Sequence, residues 1–371
     1  MSADALTLSR RDPGKLSLLG LPAASLVEFF ENLDEKPYRA RQVMRWLYQR
    51  HVVDYAQMSD LSAPLRKQLA EITTLELPPV LKCEHSDDGT RKWLLDVGAN
   101  QAVETVYIPE PDRGTLCISS QAGCALDCAF CATGYQGFNR NLTSAEILGQ
   151  VVLAARELAG AKITNVVFMG MGEPLANYRN VLPVVHLLID DQAFGLSRRR
   201  VTISTAGVVP QMLKLANDCN VALAVSLHAP TDELRDRLVP INKIHPIAEL
   251  LDACWKYAEG QASRSITFEY VLLDGINDSV AQARQLVKLL RHKPAKVNLI
   301  PFNAFAESEF RCSPQPAIDA FWQTLRNAGL IATVRRPRGD DIAAACGQLA
   351  GRVRDRQRVR LGDRVIGAST A

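Results

Sequence analysis

The residues best suited to chemistry lie in one short stretch, Gly123-Cys124-Ala125-Leu126-Asp127-Cys128-Ala129-Phe130-Cys131-Ala132-Thr133-Gly134. Three cysteines at spacing C-x3-C-x2-C can bring three thiolates to one metal centre, because glycines and small residues let the backbone wrap around it. A closed structural metal site takes four protein ligands, whereas three leave a position open for chemistry. Iron–sulfur clusters are usually held by four thiolates, and no fourth cysteine follows at local spacing, so one iron would be left to bind something else. The structural alternative is a zinc knuckle completed by a distant His or Cys. Zinc usually takes paired C-x2-C halves, and no second half is present.

Two other groups stand out. Residues 102–108 read as a strand in which Glu104 shares a face with Val106 and Ile108. A lone carboxylate on an apolar face has a raised pKa and can act as a general base, although a Glu at a sheet edge reaching solvent fits the same pattern. Cys346 sits among alanines just before Gly347, in the segment 338–349. That context suits a small accessible thiol, or a buried apolar one.

The elements that must position these groups follow a simple order. Residues 16–75 read as a helical module, with Leu26, Phe29, Phe30 and Leu33, then Val43, Trp46 and Leu47, at helical spacing. Its second helix interleaves Arg39, Arg41, Arg45, Arg50 and His51 with Tyr38, Trp46 and Tyr48. Such a face offers arginines to phosphates and rings for stacking, or else is an amphipathic helix with its apolar side buried. Residues 79–109 form a hairpin-rich β segment around an Asp87-Asp88-Gly89 turn. From Thr115 onward strands alternate with helices, the first helix opening on the capping box Thr143-Ser144-Ala145-Glu146. Strands are expected at 115–119, 163–168, 200–203, 221–225, 265–272, 296–300 and 330–334, which predicts a parallel sheet or barrel.

Several of these strands end in small and polar residues: Met169-Gly170-Met171-Gly172-Glu173-Pro174, Ser204-Thr205-Ala206-Gly207, Ser226-Leu227-His228-Ala229-Pro230 and Pro301-Phe302-Asn303. Carboxyl ends are where α/β barrels place their active sites. Gly170 and Gly172 would let backbone approach a ligand, and Glu173 could accept from an ammonium group. Ser204, Ser226 and Asn303 could hydrogen-bond a ribose or carboxylate, and His228 could do so or could simply cap a turn.

Composition sets outer bounds. Apolar residues make up 47% and charged residues 22%, as in globular proteins. The net charge is +3, yet residues 335–371 carry nine arginines against four aspartates, or +5, leaving −2 elsewhere. A basic tail on a near-neutral body suits a polyanion such as nucleic acid, or a solvated helix end. Nine cysteines, an odd number with a tight cluster, argue against a secreted disulfide scaffold. No apolar run is long enough to span a membrane. Ser9-Arg10-Arg11 resembles a twin-arginine signal, but no convincing cleavage site follows, so a cytoplasmic location is expected.

Taken together, residues 103–109, the cysteine loop, the GMGEP, SLHAP and IPFN strings and residues 339–349 resemble the RlmN family, nearly along the full length. Members are radical S-adenosylmethionine (SAM) enzymes that methylate carbon 2 of adenosine in 23S rRNA and tRNA. The resemblance implies a 4Fe–4S cluster on Cys124, Cys128 and Cys131, and a SAM site lined by Gly172, Glu173, Ser204, Ser226, Leu227, His228 and Asn303. It makes Cys346 the methyl carrier, Cys117 its disulfide partner and Glu104 the base. One SAM methylates Cys346; another is cleaved to a deoxyadenosyl radical that takes hydrogen from that methyl group. It further implies a partial β/α barrel, a flavodoxin-like or ferredoxin-like one-electron donor, and a monomer. The expected division is 1–78 for an RNA-binding helical module, 79–114 for the hairpin segment, 115–345 for the barrel and 346–371 for the methyl-cysteine loop and tail. Rival readings are a Cfr-type enzyme acting at carbon 8 of the same rRNA adenosine, and a non-catalytic iron–sulfur electron carrier or RNA-binding protein.

Overall fold

A computed structural model describes residues 14–158, 160–259, 265–336 and 338–356. The Ser9-Arg10-Arg11 string and the last arginines of the tail, Arg358, Arg360 and Arg364, lie outside the described residues.

The helical module is tied at its ends. Strand β1 (Leu16–Ser17) pairs in parallel with β2 (Thr73–Thr74) and encloses α1 (Ala23–Glu31), α2 (Tyr38–Met44) and α3 (Ala63–Ile72). Leu26, Phe30, Val43 and Leu69 fill its core. Helix α2 runs on as a π-helical stretch, Arg45–Gln49, in which Trp46, Leu47 and Tyr48 are all buried. The stacking surface suggested by these rings is therefore not formed. The Trp46 indole donates to Asp60 at 2.6 Å, and the Gly20 amide donates to the Tyr48 hydroxyl at 3.2 Å. Only Tyr38, 44% exposed, remains available among them.

Next comes an antiparallel meander of β3 (Val80–His85), β4 (Arg91–Gly98), β5 (Gln101–Glu110) and β6 (Arg113–Cys117). Then follow β7 (Gln121–Gly123), α4 (Ala132–Tyr135), β8 (Phe138–Asn141), α5 (Ser144–Glu157), β9 (Asn165–Phe168) and α6 (Tyr178–Ile189). The remainder alternates β10 (Val201–Thr205), α7 (Val209–Asp218), β11 (Ala222–Ser226), α8 (Asp232–Leu238), α9 (Ile247–Ala258), β12 (Ile266–Leu272), α10 (Val280–Leu290), β13 (Ala295–Pro301), α11 (Gln315–Asn327) and β14 (Ile331–Val334). Capping is as expected at α5, where Thr143 and Glu146 exchange side-chain and backbone bonds.

One ten-stranded sheet runs in the order β14-β13-β12-β11-β10-β9-β6-β5-β4-β3. From β6 to β14 every neighbouring pair is parallel; β6 then pairs antiparallel with β5 instead of closing on β14. Residues from all seven parallel strands, Cys117 of β6 and Val334 of β14 included, nonetheless line one cavity. A flat sheet cannot do that, so the strands curl into an open β/α barrel, as expected. The meander continues the barrel wall and is not a separate hairpin unit. Apolar faces of the helices close the outside, as with Ile147, Leu148, Val151 and Val152 of α5 and Val184, Val185 and Leu188 of α6.

Candidate active site

The cysteine loop hangs from a polar scaffold that pattern reading missed. Beyond β6, the Ser119 amide donates to Gln150 Oε1 at 2.8 Å, the Gln150 amide donates back to Ser119 O at 2.9 Å, and the Ser119 hydroxyl donates to Glu104 O at 2.6 Å. Gln150 is fully buried on α5, and its pairing satisfies an amide that would otherwise be costly there. Strands β7 and β8 then form a short antiparallel ribbon on either side of the loop. The Cys124 amide donates to Gly137 O at 2.8 Å, and the Cys131 amide to Cys128 O at 3.3 Å. Gly123 has φ +81° and a Cβ there would strike the Gly137 carbonyl, so only glycine allows this entry.

Above the barrel the three cysteines meet the strand ends around a cavity of about 160 Å³. Gly172, Glu173, Ser204, Ser226, His228, Asn303 and Cys346 line it as well. Glu173 is buried; Oε1 accepts from the Leu175 amide at 2.9 Å and Oε2 from the Ala206 amide at 2.8 Å. Burial raises its pKa to about 7, against the lowering effect of those amides. His228 sits at φ +57°, and its Nδ1 accepts from the Val271 amide at 2.9 Å, which assigns the ring proton to Nε2. Burial, with Arg235 adding to it, lowers its pKa to about 3, so the ring is neutral. Phe130 packs edge-on against it at 4.5 Å.

The glycines have a packing role besides the one expected. Gly170 and Gly172 border the cavity, but a Cβ on either would collide with Ile118–Ser119 or with Gln121. They allow the GMGEP turn to pack on the chain leading into the cysteine loop. Leu227 is buried in the core, and the cavity is lined by its neighbours Ser226 and His228 instead.

Arg235 was invisible to sequence reasoning. In the string Asp232-Glu233-Leu234-Arg235-Asp236-Arg237 it resembles any surface helix charge, yet it is fully buried. It donates to the carbonyls of Ala206 at 2.6 Å, Ser226 at 2.9 Å and Leu227 at 3.1 Å, and to Asn242 Oδ1 at 2.9 Å. One guanidinium thus ties the ends of β10 and β11 together beneath the cavity. Desolvation lowers its pKa to about 10, leaving it charged at neutral pH.

Cys346 reaches the cavity on a segment clamped at both ends. At the start, Asp341 accepts from the Ser86 hydroxyl at 2.6 Å, and the Gly339 amide donates to Asp88 at 3.1 Å, both from the β3–β4 turn. At the end, the Ala350 amide donates to Glu104 Oε2 at 2.8 Å, and Arg352 bridges Ala102 antiparallel. Between them the Ala132 amide donates to Gly347 O at 2.8 Å, joining the segment to the cysteine loop. Glu104 is not the lone carboxylate expected on an apolar face. Lys92 lies 3.1 Å from Oε1, also donates to Ala343 O at 3.3 Å, and is itself buried. Glu104 lines neither cavity and abuts the Cys346 segment instead.

A second cavity, of about 970 Å³, fills the rest of the lumen and meets the first at Met169, Glu269, Arg335 and Cys346. Cys117 lines the second. Both thiols are free; burial, with Cys346 adding to it, pushes the Cys117 thiol up to about 12. Arg335 lies beside both Cys346 and Glu269, and burial raises the pKa of Glu269 to about 7. Neither residue stood out in the sequence, where Arg335 reads as the start of the basic tail.

Comparison with known proteins agrees with this arrangement. A family model described as the ribosomal RNA large subunit methyltransferase N-terminal domain matches residues 16–75, and the radical SAM superfamily model matches residues 118–287. A solved radical SAM methyltransferase from Sphaerobacter thermophilus is 46% identical, with a TM-score of 0.85 over 90% of this chain and 98% of its own. A domain of pyruvate-formate lyase-activating enzyme from Bacteroides vulgatus aligns at 16% identity and a TM-score of 0.35, over 46% of this chain and 99% of its own. No described helix is long and apolar enough to cross a membrane. With both domains present and near-complete coverage of a methyltransferase at this identity, the chain belongs to the RlmN family of radical SAM methyltransferases, enzymes of a 4Fe–4S cluster and SAM.

Proposed function

We propose that this protein methylates carbon 2 of adenosine in 23S rRNA, at the peptidyl-transferase centre, and in tRNA, next to the anticodon. Cys124, Cys128 and Cys131 would hold the cluster. The three thiols line the same cavity as the residues proposed for SAM. Glu173 offers acceptors to an ammonium group, while Ser204, Ser226, Asn303 and the Nε2–H of His228 suit a carboxylate and ribose hydroxyls. Bound there, the cluster and SAM supply a methyl group and a one-electron cleavage that yields a hydrogen-abstracting radical.

The remaining chemistry belongs to the chain. Carbon 2 of adenine is electron-poor and cannot attack SAM directly, but a carbon radical can add there, and the family resemblance puts that carbon on a protein sulfur. Cys346 carries it, loses one hydrogen from it and forms the carbon–carbon bond to the base. Glu104, which abuts the Cys346 segment, would take the ring proton once that segment shifts, while the radical adduct gives up one electron that the oxidised cluster would accept. Cys117 then attacks the Cys346 sulfur, the carbon–sulfur bond breaks with its electron pair on carbon, that carbon takes up a proton to become the methyl group, and a Cys117–Cys346 disulfide remains as the methylated base leaves. The observation that carries this reading is the place of Cys346, in the wall shared by the three-cysteine cavity and the cavity that holds Cys117. The test is nucleoside analysis of rRNA and tRNA after reaction with the reconstituted enzyme. 2-Methyladenosine in both is expected; 8-methyladenosine would overturn the carbon-2 assignment.

A further inference from the structure

The larger cavity has a chemical character of its own. Its inner end is Cys346 and Cys117, and its walls are the amino-terminal halves of the parallel strands, through Asn165, Thr202 and Thr267. Its lining carries Arg113, Arg199, Lys296, Arg336 and Arg338; Arg199 and Lys296 lie at the amino ends of β10 and β13, whereas Arg336 and Arg338 follow the carboxyl end of β14. Against these five cations the described lining residues include two carboxylates, Glu110 and Glu269, and Glu110 is paired with Arg113. Arg199, Lys296 and Arg336 are exposed. At about 970 Å³ the space is of the size of ligand pockets, which run to roughly 1,000 Å³. A cation-lined well of that size with two thiols at its floor matches a flipped nucleotide whose neighbours stay outside on their phosphates.

We propose that the target adenosine enters the barrel through this amino-end mouth, opposite the SAM cavity, with flanking phosphates held by Arg199 and Lys296. The two substrates then approach Cys346 from opposite ends of one lumen. The methyl carrier stands where the cavities meet, and neither substrate has to leave for the other to arrive. This inference rests on the RNA methyltransferase reading above and adds the route and the phosphate contacts.

The test uses the holoenzyme and a synthetic tRNA anticodon stem-loop, with binding measured across a range of salt. Each lost phosphate contact should flatten the slope of log K against log salt by about 0.7–0.9. Arg199→Gln with Lys296→Gln should therefore weaken binding about tenfold and flatten that slope, while Arg284→Gln, on the exposed face of α10, should change neither. Cluster absorbance and melting temperature show whether the double variant is folded. Should it not fold, the wild-type protein gives the answer: bound stem-loop should protect Lys296 from acetylation. Wild-type affinity and slope in the folded double variant, or undiminished Lys296 acetylation with RNA bound, would overturn the route. If the wild-type enzyme then still makes methyladenosine, the activity stands without it; no product from wild type would fail the activity itself.

Discussion

At the residue scale, the site depends on a few buried polar groups whose partners are all accounted for. Arg235 satisfies four acceptors with one planar group, a task a point-charge ammonium cannot repeat. Arg235→Met should strip three strand-end carbonyls of their donor and cost about 3 kcal/mol or more, read as a lower denaturant midpoint. Arg235→Lys should recover little of it; near-complete recovery would mean that charge alone matters there. Glu269 gives a pH-dependent signature. Its folded pKa, about 7, lies above that of an unfolded carboxyl, so the folded state holds the proton more tightly. Stability from this group is present at low pH and is lost as pH rises from about 4.5 through about 7. Glu269→Gln should therefore gain stability relative to wild type between pH 5 and pH 8; a constant difference would contradict the assignment. Cys117→Ala should leave Cys346 methylated and accumulate a covalent protein–RNA species on denaturing gels. Turnover with no such species would remove Cys117 from the resolving step.

At the element scale, the β3–β4 turn and β5 act as the two ends of a clamp on the Cys346 segment. Removing one end with Asp88→Ala and Asp341→Ala should lower the rate of methyl loading on Cys346 several-fold. The melting temperature should barely move, because these bonds lie at the surface. Unchanged loading would mean that the contacts through Ala132 and Ala350 are sufficient. None of this clamp was legible in the sequence, where residues 86–90 and 338–341 are two ordinary polar turns some 250 residues apart. What was legible had local causes. The α5 capping box, the β/α alternation and the small residues at strand ends all come from short-range chemistry, and the structure places them as expected. The burial of Trp46, Tyr48 and Arg235, and the pairing of Glu104 with Lys92, depend on which distant elements pack against them. Gly172 lies between these cases: its presence was visible, but its reason, a φ of +98° against Gln121, was not. Gly172→Ala should strain the GMGEP turn by about 1–3 kcal/mol, detectable as weaker SAM binding and a lower melting temperature.

At the scale of the whole molecule, an open barrel extended by a meander makes one lumen with two rooms. The cysteine loop caps the carboxyl end, the Cys346 segment crosses the boundary between the rooms, and the meander anchors that segment from the side. Cys346 lines both rooms, so under the proposed function it would meet SAM chemistry on one side and Cys117 on the other. This central claim is tested most directly by peptide mass spectrometry of the Cys346 segment, from protein purified with its cluster intact and then incubated with SAM. A single methyl group on Cys346, absent from Cys117, is the predicted result. A Cys346 that stays unmodified after SAM is added would contradict the account, even with the cluster fully loaded.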